Sequence, residues 1–401
     1  MMGLVQFEMP KVSTSIIKVI GVGGGGSNAV NHMFREGITD VSFVVCNTDD
    51  QALKKSPVPI QIQLGVNITE GLGAGSKPEV AREAAIESLP EIEKMLSDNT
   101  KMAFITAGMG GGTGTGAAPV IAEAAKKLGI LTVGIVTIPF AFEGKRKIMQ
   151  ALEGVRQMSK HVDAILIINN EKLREIYPDI ELSNAFNIAD NVLANAAKGI
   201  AEIITVDGYI NVDFADVYTI MKNGGVAVMN TGRATGEKRI TKAIENALDS
   251  PLLDNRNVHE AKKILLSLYC STTNKIVMEE VSEINEFMDK MGEDIEVIWG
   301  VTFDEDLGDD VKITLIATGF GNDSILEEMM KEDELDDDEE PYDETSATVN
   351  QIQQDTKTKW MKHLYPSKTD GSQLTISLDD MDDDDIFKEM ENIPAYKRNN
   401  K

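Results

Sequence analysis

The chain has 401 residues, enough for two domains with a substantial core. Asp and Glu (66) far outnumber Lys and Arg (39), giving a net charge of −27 at pH 7, a balance that excludes an electrostatic nucleic-acid binder. Two cysteines, Cys46 and Cys270, exclude a disulfide framework and fit a reducing compartment.

Residues 1–14 read as a flexible N-terminus. They lack the basic start, apolar stretch and small-residue cleavage site of a signal peptide, so a cytoplasmic protein is expected. From Ser15 the strand-like runs SIIKVI, VSFVVC, KMAFITA, ILTVGIVTI and DAILIIN alternate with helical patterns. Near-continuous apolar strands separated by helices mean α/β architecture with a parallel, doubly wound, Rossmann-like sheet, here over residues 15–180. The longest uncharged run, LGILTVGIVTIPFAF (128–142), is too short to span a bilayer and reads as a strand buried on both faces.

The first strand runs into four glycines, IGVGGGGSNAV. Gly21, Gly23 and Gly26 satisfy G-x-G-x-x-G between a strand and a helix. A tight turn needs one or two glycines, whereas a bare backbone lets N–H groups approach a phosphate at a helix N-terminus. The same pattern serves dinucleotides, and Asp49 or Asp50 stands where a ribose-binding acid would. Further on, Ser76-Lys77-Pro78-Glu79 predicts a capping box opening the helix PEVAREAAIESL.

A second strand–glycine loop–helix follows, MAFITAGMGGGTGTGAAPVIAEAA. A dinucleotide has no use for a second, richer phosphate loop, but a triphosphate does. No G-x-x-x-x-G-K-[ST] is present: Gly144-Lys145 is followed by Arg146 and preceded by Pro139 where a glycine belongs. This is not a P-loop enzyme.

A long central helix is predicted within 181–208. Phe186, Ala189, Leu193, Ala196, Ile200 and Ile203 recur at three- and four-residue spacing, as a core-facing stripe does. Just after it, YINVDFADVYTIMK holds Asn211, Asp213 and Asp216. The two acids fit a helix cap and first turn, and equally a pair of catalytic carboxylates. Strand-like GGVAVM, ILLSLYC, DIEVIWGVTF and KITLIATGF, with two helical stretches, predict a smaller α+β domain over 209–320. Residues 321–401 carry 23 acidic and 9 basic side chains. Within them 321–385 is expected to be a disordered acidic linker. The last segment, 386–401, changes character: Ile386, Met390 and Ile393 can share a helical face before Pro394, and basic residues close the chain.

GGGTGTG (110–116) is the signature of the tubulin superfamily. Across Ser15 to Phe320, and again at the extreme C-terminus, the chain resembles the superfamily's bacterial cell-division GTPases. The resemblance implies a filament-forming GTPase that binds GTP and GDP with Mg²⁺. It maps nucleotide contacts onto Gly24, Gly25, Gly26, Ser27 and Asn28 of the first loop and onto Asn47, near the ribose side. It adds Gly73, Ala74 and Gly75 near the γ-phosphate, and Gly110, Gly111, Gly112, Thr113, Gly114, Thr115 and Gly116. Glu143 is implied at the sugar and Asn170 at the base. The family usually carries arginine where Lys147 stands, so lysine exchanges a planar, bidentate group for a single ammonium.

Base choice has a physical reading as well. Phe186 and Asp190 are neighbours on one helix face, so a ring could stack on a purine while the carboxylate accepts from guanine N1–H and the 2-amino group. Adenine would leave that carboxylate unpaired. Read without the glycine loops, the same two residues are core and solvated face.

By resemblance, Asp213, Asp216 and Asn211 enter the next subunit's pocket, where the acids polarise the attacking water. A helix of about twenty residues runs about 30 Å, so they cannot serve their own nucleotide. Partners implied in the same way are further copies of the chain, head to tail, and, through 386–401, an actin-like membrane tether and other division proteins at a mid-cell ring. Membrane contact would then be indirect. The competing readings are a dinucleotide-dependent oxidoreductase and a nucleotide-binding scaffold that does not hydrolyse.

Overall fold

The computed structural model describes residues 15–320 except 39, 178, 180, 207, 249–260 and 292–294. The expected N-terminus, acidic linker and terminal peptide lie outside the described residues. The first half alternates as its apolar runs predict: β1 (Ile17–Val22), α1 (Gly23–Arg35), β2 (Val41–Asn47), α2 (Asp50–Lys54), β3 (Ile60–Gln63), α3 (Val66–Thr69), α4 (Pro78–Glu87) and α5 (Leu89–Leu96). Then come β4 (Met102–Gly108), α6 (Thr113–Lys127), β5 (Leu131–Ile138), α7 (Lys145–His161), β6 (Ala164–Asn169) and α8 (Asn170–Ile176). A long α9 (Leu182–Thr205) leads to α10 (Phe214–Met221), β7 (Gly225–Ala234), α11 (Arg239–Leu248), β8 (Lys263–Cys270), α12 (Met278–Met291), β9 (Glu296–Phe303) and β10 (Val311–Thr318).

The strands form one sheet in the order β3-β2-β1-β4-β5-β6-β7-β10-β8-β9. Strands β1 to β6 pair in parallel, which a βαβ chain with helical crossovers requires. All of β1 and β5 is buried, so their unbroken apolar runs are those of strands covered on both faces. The long uncharged run is β5 and its flanks, and no helix among the described residues is long and apolar enough to cross a membrane.

Strand β7 joins the two halves. It runs parallel to β6 through Gly225–Ala227 and antiparallel to β10 along nearly its whole length. One core cluster, with Phe104, Val133, Leu193 and Ile200, lies under the first half, and a second, with Ile244, Leu266, Phe287 and Ile313, under the other. In that second core Arg239, only 4% exposed, is held by the Glu280 carboxylate and the carbonyls of Asn274, Lys275 and Asp309.

Two expectations need correction, and one strand carries no sequence signal. Ser76 does not cap α4: it sits at φ +60°, and the capping position is taken by Lys77, whose side chain makes no cap hydrogen bond. The reason lies upstream, where Gly71, Gly73 and Gly75 all have positive φ and the left-handed path continues through Ser76. Phe186 leaves the predicted stripe. Ala189, Leu193, Ala196, Ile200 and Ile203 are buried, but Phe186 is 42% exposed, its ring set against Phe140 in the loop after β5 instead of in the core. The short edge strand β3, IQIQ, carries too little apolar character to be read from sequence.

Candidate functional site

Parallel strands put the loops that follow them on one edge, the usual ligand-binding edge of such sheets. After β1, the glycines divide their roles. A Cβ on Gly21 would lie 2.4 Å from the Gly26 carbonyl oxygen, and one on Gly26 would lie 2.2 Å from that of Thr106. These two glycines pack the turn. Gly24, Gly25 and Asn28 are exposed, whereas Ser27 is buried with its hydroxyl unpartnered. No side chain caps α1 or α6, and neither has an acid in its first turn. Their leading N–H groups are thus available to an anion.

Three loops converge on residues 110–116. A Cβ on Gly23 would meet Gly114 N at 2.8 Å, and one on Gly112 would meet Ala74 Cβ at 3.0 Å. The Thr48 and Thr113 hydroxyls are hydrogen-bonded at 2.7 Å. Gly73 N–H donates to the Thr48 carbonyl (3.2 Å), which ties the 71–76 loop to the end of β2. Asn47 is 3% exposed, its side-chain oxygen accepting from Asp49 N–H at 3.3 Å. Gly75 bounds nothing within 4 Å, and Gly116 packs α6 on α4, its Cβ position being 2.0 Å from the Pro78 carbonyl oxygen. Thr115 turns inward, accepting from Gly110 N–H at 2.9 Å.

Around the same edge, Glu143 accepts from Phe140 N–H (2.9 Å) and pairs with Lys147 (3.3 Å). Asn170 is 5% exposed with its side-chain oxygen buried and unpartnered. Phe186 meets Phe140 edge-on at 5.3 Å, and Phe140 stacks on Phe142 at 5.1 Å. Burial pushes the Asp190 carboxyl up to about 6, since desolvation disfavours the charged form. Two contributors were missed in the sequence. Phe140 follows β5 at its carboxyl end, a position that could have flagged it. Glu171 accepts from Ala141 N–H at 2.9 Å and holds the 140–143 turn, a contact with no local signal.

Asp213, Asp216 and Asn211 are not brought to this edge. Asp213 caps α10, accepting from Ala215 N–H (2.8 Å) and Asp216 N–H (3.0 Å), while Asp216 accepts from Asp213 N–H at 3.0 Å. Asn211 accepts from Gly208 N–H at 2.6 Å. The end of α10 is tied to the sheet's amino edge: Lys222 pairs with Asp163 at 2.8 Å, one residue before β6. Phe186, near the start of α9, lies against Phe140 beside the glycine loops, and the 24 residues of α9 run about 36 Å before the acids, which keeps the two groups far apart. Asp213 and Asn211 are exposed there, beside Tyr209 (77% exposed).

The description "Tubulin/FtsZ family, GTPase domain" fits residues 16–178, and "FtsZ family, C-terminal domain" fits residues 225–321. The cell division protein FtsZ of Porphyromonas gingivalis is 49% identical over 389 residues, 96% of this chain and 85% of the relative. That of Buchnera aphidicola from Acyrthosiphon pisum is 48% identical over 80% of this chain and 84% of its own. Among solved structures, an empty FtsZ dimer from M. jannaschii superposes with a TM-score of 0.69 at 44% identity, over 76% of this chain and 88% of that one. CetZ2 from Haloferax volcanii, a GTPγS-bound protofilament, shares the fold at 20% identity (TM-score 0.66, 79% of this chain and 96% of that one).

Proposed function

The chain belongs to the FtsZ branch of the tubulin family, and from that premise we propose how the two edges of its sheet divide the work of a GTPase. It is a GTP-dependent cytoskeletal protein of cell division that binds GTP and GDP, hydrolyses GTP and associates with further copies of itself. Neither a dinucleotide oxidoreductase nor a non-hydrolysing scaffold is supported.

On this reading the loops at 24–28, 73–75 and 110–116 surround the phosphates with N–H groups, Asn47 and Glu143 lie at the sugar, and Lys147 adds one positive charge. Phe186 stacks on the base, and Asp190 and Asn170 pair with its edge. The unpartnered buried oxygens of Ser27 and Asn170 support this, because such atoms ordinarily find partners. No three His, Cys, Asp or Glu side chains among the described residues gather into a metal cage. Mg²⁺ is held mostly by substrate phosphates and water. The hydroxyls of Thr48 and Thr113, hydrogen-bonded to each other where the loops meet, would be candidates to add to its shell, and the ion would neutralise charge developing on the phosphates.

One observation carries the mechanism: pocket and acids occupy opposite edges of one molecule. Asp213 and Asp216 therefore act on the GTP of the next copy, orienting the attacking water, with Asn211 fixing their loop. A pocket-to-acid contact is head to tail and does not close on itself, so it builds filaments. We place the filament in the cytoplasm at a mid-cell ring. The 386–401 peptide would dock on an actin-like membrane tether and other division proteins, with 321–385 as a self-repelling spacer.

Phosphate release measured across protein concentration tests the shared site. Release per subunit should vanish below an assembly threshold and rise steeply above it. Constant specific activity from dilute to concentrated protein would return the two acids to helix capping alone.

A further inference from the structure

Helix α7 backs the 110–116 loop along one face. The Lys147 carbonyl oxygen stands 2.8 Å from where a Cβ on Gly110 would be, so only glycine lets the loop lie this close. One turn on, Gln150 Nε2 donates to the carbonyls of Gly111 (2.7 Å) and Gly110 (3.2 Å). A further turn on, Gly154 leaves room for Thr115, whose Cγ2 would be 2.6 Å from a Cβ there. Residues 147, 150 and 154 share a helical face at three- and four-residue spacing.

The two carbonyls held by Gln150 decide where two N–H groups point. In a trans peptide the C=O and the N–H face opposite ways. Fixing the Gly110 carbonyl toward α7 therefore turns Gly111 N–H away from it, and fixing the Gly111 carbonyl does the same for Gly112 N–H. Glycines would otherwise sample many orientations here. We propose that Gln150 is a positioning residue for GTP binding, its amide presetting the Gly111 and Gly112 N–H groups toward the phosphates. This rests on the assignment of the 110–116 loop to the nucleotide.

The setting makes the proposal testable without disturbing the core. Gln150 lines an open cleft of about 460 Å³ between α4, α6 and α7, with Pro78, Arg82, Pro119, Val120 and Gln157. A side chain of similar size there leaves no buried void.

The test compares full-length parent, Gln150→Leu and Gln150→Glu by titrating nucleotide-free protein with GTP at pH 8 and pH 5.5, alongside thermal unfolding without nucleotide. Leu removes both donors and is expected to weaken GTP binding about tenfold, the cost of ordering roughly one loop residue at the moment of binding. Glu keeps the shape but sets a carboxylate against two carbonyl oxygens, which raises its pKa above the ordinary value of about 4.3. Compared with the parent at the same pH, it should bind more weakly than Leu at pH 8 and regain part of that loss at pH 5.5, where a growing protonated fraction can donate again. Melting temperatures should fall by only about 2–4 °C, the cost of losing these half-buried hydrogen bonds. A Leu variant that binds like the parent overturns the proposal. So does equal loss in both variants at both pH values with a melting temperature lowered by about 10 °C or more, the mark of a merely structural role. A parent that binds no GTP would instead overturn the nucleotide assignment itself, and this proposal with it.

Discussion

Replacing Asp213 separates two roles that one carboxylate can hold. Its oxygen takes the N–H groups of Ala215 and Asp216, so Asp213→Ala removes an N-cap worth about 1 kcal/mol, at most about 2. Helix α10 is otherwise secured by buried Val217, Ile220 and Met221, so the loss stays local and lowers the melting temperature by about 2–4 °C. Asparagine caps about as well as aspartate, so Asp213→Asn should melt within about 1 °C of the parent, near the lower end of the charge–dipole effect. Catalysis should not follow stability. If the carboxylate orients water in a neighbouring pocket, both variants lose on the order of 100-fold in phosphate release above the assembly threshold, about 2.7 kcal/mol of barrier. A complementation assay then tests whether the site is shared. Gly24 is exposed and a Cβ there meets nothing within 4 Å, so Gly24→Glu should fold yet repel phosphate. Alone, Asp213→Asn should keep about one hundredth of parental turnover and Gly24→Glu still less. An equal mixture should recover toward about one quarter of parental turnover, the share of random head-to-tail contacts joining an intact pocket to an intact acid. Parental turnover by Asp213→Asn, or a mixture as inert as its parts, would refute the reasoning.

Asp190 carries a pH signature. Its folded value, raised to about 6 by burial, lies above the unfolded one, so the stability it contributes to nucleotide-free protein is complete below about pH 4 and lost as pH rises through about 6. Guanine donors favour the ionised carboxylate, so GTP affinity falls below about pH 6 more steeply in the parent than in Asp190→Asn; parallel profiles would move base selection elsewhere. Removing residues 386–401 should leave GTP hydrolysis and assembly nearly unchanged while abolishing recruitment to vesicles coated with the tether, and surviving recruitment would put the docking surface on the folded domains.

Much of the fold was legible because it is local. Buried parallel strands must be apolar throughout, glycine runs between strand and helix need a bare backbone, and the α9 stripe from Ala189 to Ile203 repeats at the helical period. Those patterns, with GGGTGTG, were enough for the fold class and for GTP. Contacts between distant segments were not legible. Tertiary packing decided that Gly21 and Gly26 pack while Gly24 faces open space, since the obstructing carbonyl at Gly26 belongs to Thr106, eighty residues away. It also moved Phe186 out of the core and against Phe140, and it turned Ser76 left-handed where a cap was expected. It tied the end of α10 to Asp163 at the sheet's amino edge, while Asp213 and Asp216 follow the end of α9 that lies far from the loops. Local periodicity reports which face of an element is apolar. It carries no information about what that face, or the loop beyond it, will meet.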